Sequence, residues 1–144
     1  MLVAISNKRD KHHDKAKKLL RAIVKQKPHP RIFVSDYIID ETISVVLSRT
    51  KNKPDRLRRK IIELVDNIVY HSRFFRVIHV DEAILSSALT HLRKEKSILL
   101  SLTDWTNVVI MKNHNICEIL SFDSDFDRIS KLSYFSFVKR IERP

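Results

Sequence analysis

A three-layer α/β/α domain with a mostly parallel central sheet is the fold class this sequence predicts. Three observations predict it. Short runs rich in β-branched and aromatic residues alternate with longer segments of helical periodicity, the pattern of strands crossing over through helices. Carboxylates stand at a helix start (Asp104) and just past an apolar strand run (Asp123), where open α/β sheets build their ligand crevices. And 144 residues, 43% hydrophobic and 31% charged, suit one globular domain, which at that length buries about two-thirds of its unfolded surface.

The elements follow in order. Residues 1–6 are short and apolar. Asp10 is expected to cap a helix that carries Ala16, Leu19, Leu20, Ile23 and Val24 on one face, ended by Pro28 and Pro30. Residues 31–34 read as a strand. Ser35 or Asp36 then caps a helix through about Arg49, with Ile38, Val45 and Val46 inward; Glu41 is three residues after Ile38 and four before Val45, so it is expected on that apolar face. Lys51-Asn52-Lys53-Pro54 reads as a loop. Residues 55–72 form a helix with Leu57, Ile61, Leu64, Val65 and Ile68 inward. Arg56, Arg58, Arg59 and Lys60 crowd its start, where cations oppose the helix dipole; they read as a solvated face or as a contact for an anionic partner. Residues 75–80 make a strand, and Asp81 starts a helix packed through Ile84, Leu85, Ala88, Leu89 and Leu92. A helix opens on Asp104, a short loop runs through Asn113-His114-Asn115, residues 116–122 make an apolar strand, and residues 134–141 a closing strand.

Composition narrows the function. The 28 Lys and Arg against 17 Asp and Glu give a net charge of +11, which favours a nucleic-acid partner because each neutralised phosphate releases counterions. The chain has no glycine, which excludes P-loops and dinucleotide fingerprints and leaves left-handed turns to Asn or Asp. The single Cys117 excludes a disulfide scaffold and, within its apolar run, predicts a buried thiol. No apolar run approaches the roughly 18 residues that span a bilayer, and the amino end is too short for a signal-peptide core, so a cytoplasmic protein with no membrane contact is expected. No Cys/His spacing suits zinc. Trp105 and the Phe74-Phe75 pair, flanked by Arg73 and Arg76, could stack on bases, although the burial preference of large aromatics favours the core.

The acidic motifs carry the chemistry. Glu41 on an apolar helix face must be paired, hydrogen-bonded or metal-bound, or reach water from the boundary. Ser101-Leu102-Thr103-Asp104 has the form of a capping box, a structural role that also aims a carboxylate in a fixed direction. Asp123-Ser124-Asp125-Phe126-Asp127 is not a calcium loop, which needs Gly at its sixth position and Glu at its twelfth, where this chain has Arg128 and Tyr134. A strand followed by D-x-D also resembles the aspartate-nucleophile phosphatases of the haloacid dehalogenase type. That family builds its domain downstream of the motif, and only 17 residues follow Asp127.

Taken together, Glu41 after Ser-Asp-Tyr-Ile-Ile-Asp, Asp104 in Ser-Leu-Thr-Asp and Asp123 in Ser-Phe-Asp-Ser-Asp-Phe resemble the PIN domain family, most closely its VapC-type toxin ribonucleases. The likeness covers nearly all of residues 1–144 as a single domain, from Asp10-x-x-His13-x-x-Ala16 to the closing Phe/Val strand. It implies a Rossmann-like α/β/α fold and a metal-dependent endoribonuclease. Glu41, Asp104 and Asp123 would be catalytic and metal-binding, Asp125 a further or outer ligand, and Ser101 and Ser121 hydrogen-bonding supports. It also implies Mg2+ or Mn2+, an RNA substrate, a VapB-type antitoxin and a homodimer. Hard, oxygen-seeking ions suit such carboxylates. The family carries a first acid at the end of a central strand that would precede Leu2, so the chain is expected to be truncated there, with weakened or absent catalysis. The alternative is a degenerate module that binds RNA or an antitoxin without cutting.

Overall fold

A computed structural model describes residues 1–49 and 55–142. Loop 51–54 of the sequence reading lies outside them, as do the side chains of Leu57 and Ile61. The described residues divide into two compact units, one within 1–79 and one within 80–142.

In the first unit, residues 1–6 are not merely an apolar lead: Leu2–Ser6 is a short helix, α1, whose Ser6 hydroxyl donates back to the Leu2 carbonyl at 2.9 Å. Helix α2 spans His13–Val24 and buries His13, Ala16 and Leu19. Its N-cap is His12, not the expected Asp10; Asp10 instead accepts the His12 amide at 3.0 Å and pairs with Arg49 at 3.1 Å. Burial favours the neutral form of Asp10, but the His12 amide and the Arg49 guanidinium outweigh it and hold the carboxyl below 3.8.

Strand β1 (Ile32–Ser35) pairs in parallel with β2 (Phe75–Ile78), Ile32 opposite Phe75 and Phe33 opposite Arg76. Alternation sets the faces: Val34 and Phe75 join Leu2, Val65 and Val69 in a core cluster, while Phe33 and Arg76 are exposed. Between the strands run α3 (Asp36–Arg49) and α4 (Asp55–Asp66), the latter continuing through a π-helical turn, Asn67–His71. The Ser35 hydroxyl accepts the Ile38 amide at 3.2 Å and so caps α3. Leu64, expected inward, is 39% exposed, because the buried positions fall at Val65 and Val69, four apart.

In the second unit, Asp81 caps α5 (Glu82–Lys94) by accepting the Ile84 amide at 2.8 Å. Helix α6 (Leu102–Asn113) packs against α5 and contributes Trp105, Thr106, Val108, Val109, Ile110 and Met111 to the core. Leu92, expected to pack, is 37% exposed on the outer side of α5. Asn115 turns the chain with φ 53°, the left-handed conformation a glycine-free chain must assign to such a residue. Strand β3 (Glu118–Leu120) pairs in parallel with β4 (Lys139–Ile141). Both are shorter than the sequence reading expects. Cys117, just before β3, is exposed, which corrects the buried thiol. A short helix α7 (Asp125–Ile129) and a 3-10 turn (Ser133–Phe135) precede β4. Trp105, Phe126, Ile129 and Phe135 anchor this core at 2% exposure or less. No helix among the described residues is long and apolar enough to cross a membrane.

Candidate active site

Asp104 owes its position to the start of α6. The Ser101 side chain accepts the Asp104 amide at 3.1 Å, and Oδ2 of Asp104 accepts both the Ser101 amide at 3.1 Å and the Ser101 hydroxyl at 2.7 Å. This is the reciprocal capping box expected from the spacing. With Trp105 and Thr106 sealed in the core immediately after it, the first turn cannot swing, so the carboxylate is held in one direction.

Asp123 reaches the same neighbourhood from the carboxyl end of β3. Its amide donates to the Ser121 hydroxyl at 3.1 Å, and its Oδ1 accepts the Asp125 amide at 2.9 Å. Both are local side-chain-to-backbone turns that fix the loop without a glycine. Asp123 is exposed and Asp104 half-buried. Burial pushes the Asp104 carboxyl above 3.8, the Ser101 hydroxyl and amide pull it part of the way back, and the Asp123 carboxylate pushes it up again.

Asp125 is half-buried and paired with Arg128 at 3.1 Å across the first turn of α7. Asp127 is held by Arg140, whose Nε and Nη2 reach its two carboxylate oxygens at 2.9 and 2.5 Å. Arg140 also donates to Glu142 at 2.8 Å and to the Ser121 carbonyl at 3.5 Å. One guanidinium on β4 thus ties down the loop from Ser121 to Asp127. Its carboxylate partners hold its pKa above the ordinary guanidinium value, and it holds the Asp127 carboxyl below 3.8. Sequence reasoning did not single out Arg140, whose partner Asp127 is 13 residues away in a different element.

Glu41 belongs to the first unit and is exposed. The expectation that it shares the apolar face of α3 is corrected. The buried residues of that helix are Thr42 and Val46, one turn apart, and Glu41 sits about 100° round from Thr42. Among the described residues no group of three or more His, Cys, Asp or Glu side chains is arranged to hold a metal ion. The Asp104–Asp123 pair still has the donor chemistry for one class of ion. Asp104 Oδ1 and Asp123 Oδ2 accept no hydrogen bond among the described residues, and a small hard cation binds through one or two carboxylates while keeping several waters. A closed zinc or calcium cage does not fit.

Parallel strands joined through helices, with a held carboxylate pair at a helix start and beyond a strand end, define an α/β/α domain built to place acids at the carboxyl ends of its strands. The chain belongs to the PIN domain family, whose model matches residues 1–132. Its fold is the three-layer α/β/α PIN fold. Among solved structures it is similar to VapC20 of Mycobacterium tuberculosis, described as a sarcin–ricin loop cleaving toxin. The match has a TM-score of 0.73 at 24% identity and covers 88% of each chain. No curated protein matches it.

Proposed function

We propose that this protein is a metal-dependent endoribonuclease of the VapC toxin type. The observation that carries the reading is the pair itself. Asp104, half-buried and braced by Ser101, faces the repulsion of Asp123, and a divalent cation between them would relieve it. PIN membership, the fold likeness to a protein described as a sarcin–ricin loop cleaving toxin, and a net charge of +11 support it. Glu41 is proposed as a further carboxylate, Asp125 as an outer one, and Ser101 and Ser121 as supports. An RNA substrate, a VapB-type antitoxin, a homodimer and a cytoplasmic setting belong to the same proposal.

When bound, Mg2+ or Mn2+ would supply a nucleophilic water at neutral pH and neutralise charge on the phosphate. The chain's own residues do the rest. Ser101 keeps the Asp104 carboxyl oriented, the Asp125 amide holds Oδ1 of Asp123, and Arg140 holds the loop that carries Asp123.

A second reading, a PIN module that binds RNA or an antitoxin without cutting, is favoured by the absence of a three-ligand cluster among the described residues. One experiment separates them: cleavage of structured RNA with Mn2+ and with EDTA, for wild type, Asp104→Asn and Asp123→Asn, beside thermal melts with and without Mn2+. The nuclease reading expects Mn2+-dependent cleavage that falls about 100-fold or more in either variant. It also expects a Mn2+-dependent rise in melting temperature that both variants lose. Salt-sensitive RNA binding with no cleavage in any condition would support the module.

A further inference from the structure

Helix α2 distributes its charge unevenly. After Asp14 in the first turn it carries Lys15, Lys17, Lys18 and Arg21, Lys25 caps its end, and no further acid occurs. Lys18, Arg21 and Lys25 are exposed. Their spacing of three and four residues makes one stripe along the helix, opposite the buried His13, Ala16 and Leu19. Asp14 lies at the start of the same stripe, one turn before Lys18. Among the described residues, neither Asp14 nor Lys17, Lys18, Arg21 or Lys25 enters an ion pair. Asp10, just before the helix, is taken by Arg49 and the His12 amide. Helix α1, which packs against α2, has no charged side chain.

Folding alone does not call for this arrangement. Lys18 with Arg21, and Arg21 with Lys25, are like charges one turn apart, which destabilise a helix. The helix dipole favours the cations of the last turn but not Lys17 and Lys18 in the middle. Two other helices match a cation to an acid within a turn: Arg59 to Asp55 at 2.7 Å in α4, and Arg128 to Asp125 at 3.1 Å in α7. A row of unmatched cations suits a ligand whose negative charges also come in a row, as on a nucleic-acid backbone. α2 contains no Phe, Tyr or Trp, so it gives bases nothing to stack on, and contact falls to the phosphates whatever the sequence. Its apolar face is already buried in the protein, which leaves none to enter a bilayer surface.

We propose that Lys18, Arg21 and Lys25 form a docking stripe on α2 for the phosphate backbone of RNA. The stripe runs about 10 Å from Lys18 to Lys25, so it meets a few phosphates and adds affinity without sequence preference. The inference rests on the RNA-directed reading of this protein for its choice of polyanion, and its test is independent of cleavage.

The test uses the full chain in EDTA, which prevents metal-dependent cutting. Fluorescence anisotropy follows a labelled RNA hairpin and a labelled oligouridylate across a salt series. Lys18→Gln/Arg21→Gln/Lys25→Gln should weaken both RNAs about 100-fold at about 0.1 M salt and lower the hairpin salt slope by roughly 2–3. Arg21→Gln alone should lower it by about 0.9. Arg56→Gln/Lys60→Gln/Lys96→Gln removes as many charges from other exposed positions and should change affinity less than about threefold, with the slope unchanged. Equal losses in the two triple variants overturn the stripe, because net charge alone would then explain binding. So does wild-type affinity in the folded α2 variant, or a wild type that binds neither RNA. An α2 variant that leaves phosphatidylserine vesicles but keeps its RNA affinity also overturns it, since the face would then serve a membrane. If wild type never cuts RNA with Mn2+ yet binds it through the stripe, the nuclease reading falls and the stripe stands. If it cuts RNA and the α2 variant binds normally, the reverse holds.

Discussion

Ser101→Ala probes the site where structure and chemistry share one residue. The Ser101 hydroxyl accepts the Asp104 amide at 3.1 Å and donates to the Asp104 carboxylate at 2.7 Å. Removing it uncaps α6, which costs about 1 kcal/mol, or about 3–4 °C in melting temperature for a chain of this size. The loss should depend on pH. Burial leads the causes that lift the Asp104 carboxyl above 3.8, so its ionisation costs more in the fold than in the unfolded chain. The site therefore favours the fold most below pH 3.8, and that contribution declines as pH rises through 3.8 towards the folded value. The Ser101 hydroxyl bond opposes the upward shift, so without it the decline is steeper and Ser101→Ala is more damaging at pH 7 than at pH 4. Urea melts at both pH values, with Ser101→Thr as rescue, provide the assay. Equal losses at the two pH values, or a threonine that restores nothing, would refute the coupling between cap and carboxylate.

Three further outcomes follow from the packing. Arg140→Ala should cost about 1 kcal/mol; Arg140→Lys should recover only part of it, because the ammonium cannot form the two-pronged contact with Asp127. Since Arg140 holds Asp127 below 3.8, its wild-type advantage should be present above pH 3.8 and fade as pH falls through the lowered value, which urea midpoints across pH would reveal. Trp105 is fully buried with an indole N–H that has no partner among the described residues. Trp105→Ala should cost about 4 kcal/mol, and Trp105→Phe much less, because it also removes the unpaired donor; equal urea midpoints for the two would contradict this. Cys117 should react with a thiol reagent in the folded protein as fast as an exposed thiol, and slow labelling that needs denaturant would return it to the interior.

Much of the fold was legible because it depends on near neighbours. The capping boundary at Ser101 and Asp104 and the cap at Asp81 are local hydrogen-bonding facts, readable from a few adjacent residues. Apolar spacing placed α3, α5 and α6 within a residue or two. What failed was orientation at the margins. Glu41, Leu64 and Leu92 fall near the edge of a helix's apolar stripe, where 100° of rotation per residue separates inside from outside and only the neighbouring element decides. Cys117 was misjudged for a related reason: its run is apolar enough for an interior strand, but β3 starts one residue later.

By itself the sequence determined the alternation of strands and helices and the basic character of the chain, because each rests on composition or short-range spacing. Only the tertiary structure brought Asp123 close enough to raise the pKa of Asp104, made Arg140 the brace of the loop between Ser121 and Asp127, and left Phe33 and Arg76 exposed side by side. These are pairings across tens of residues. The chain closes such distances only when burying its apolar faces offsets the entropy of ordering them, so short-range spacing does not record them.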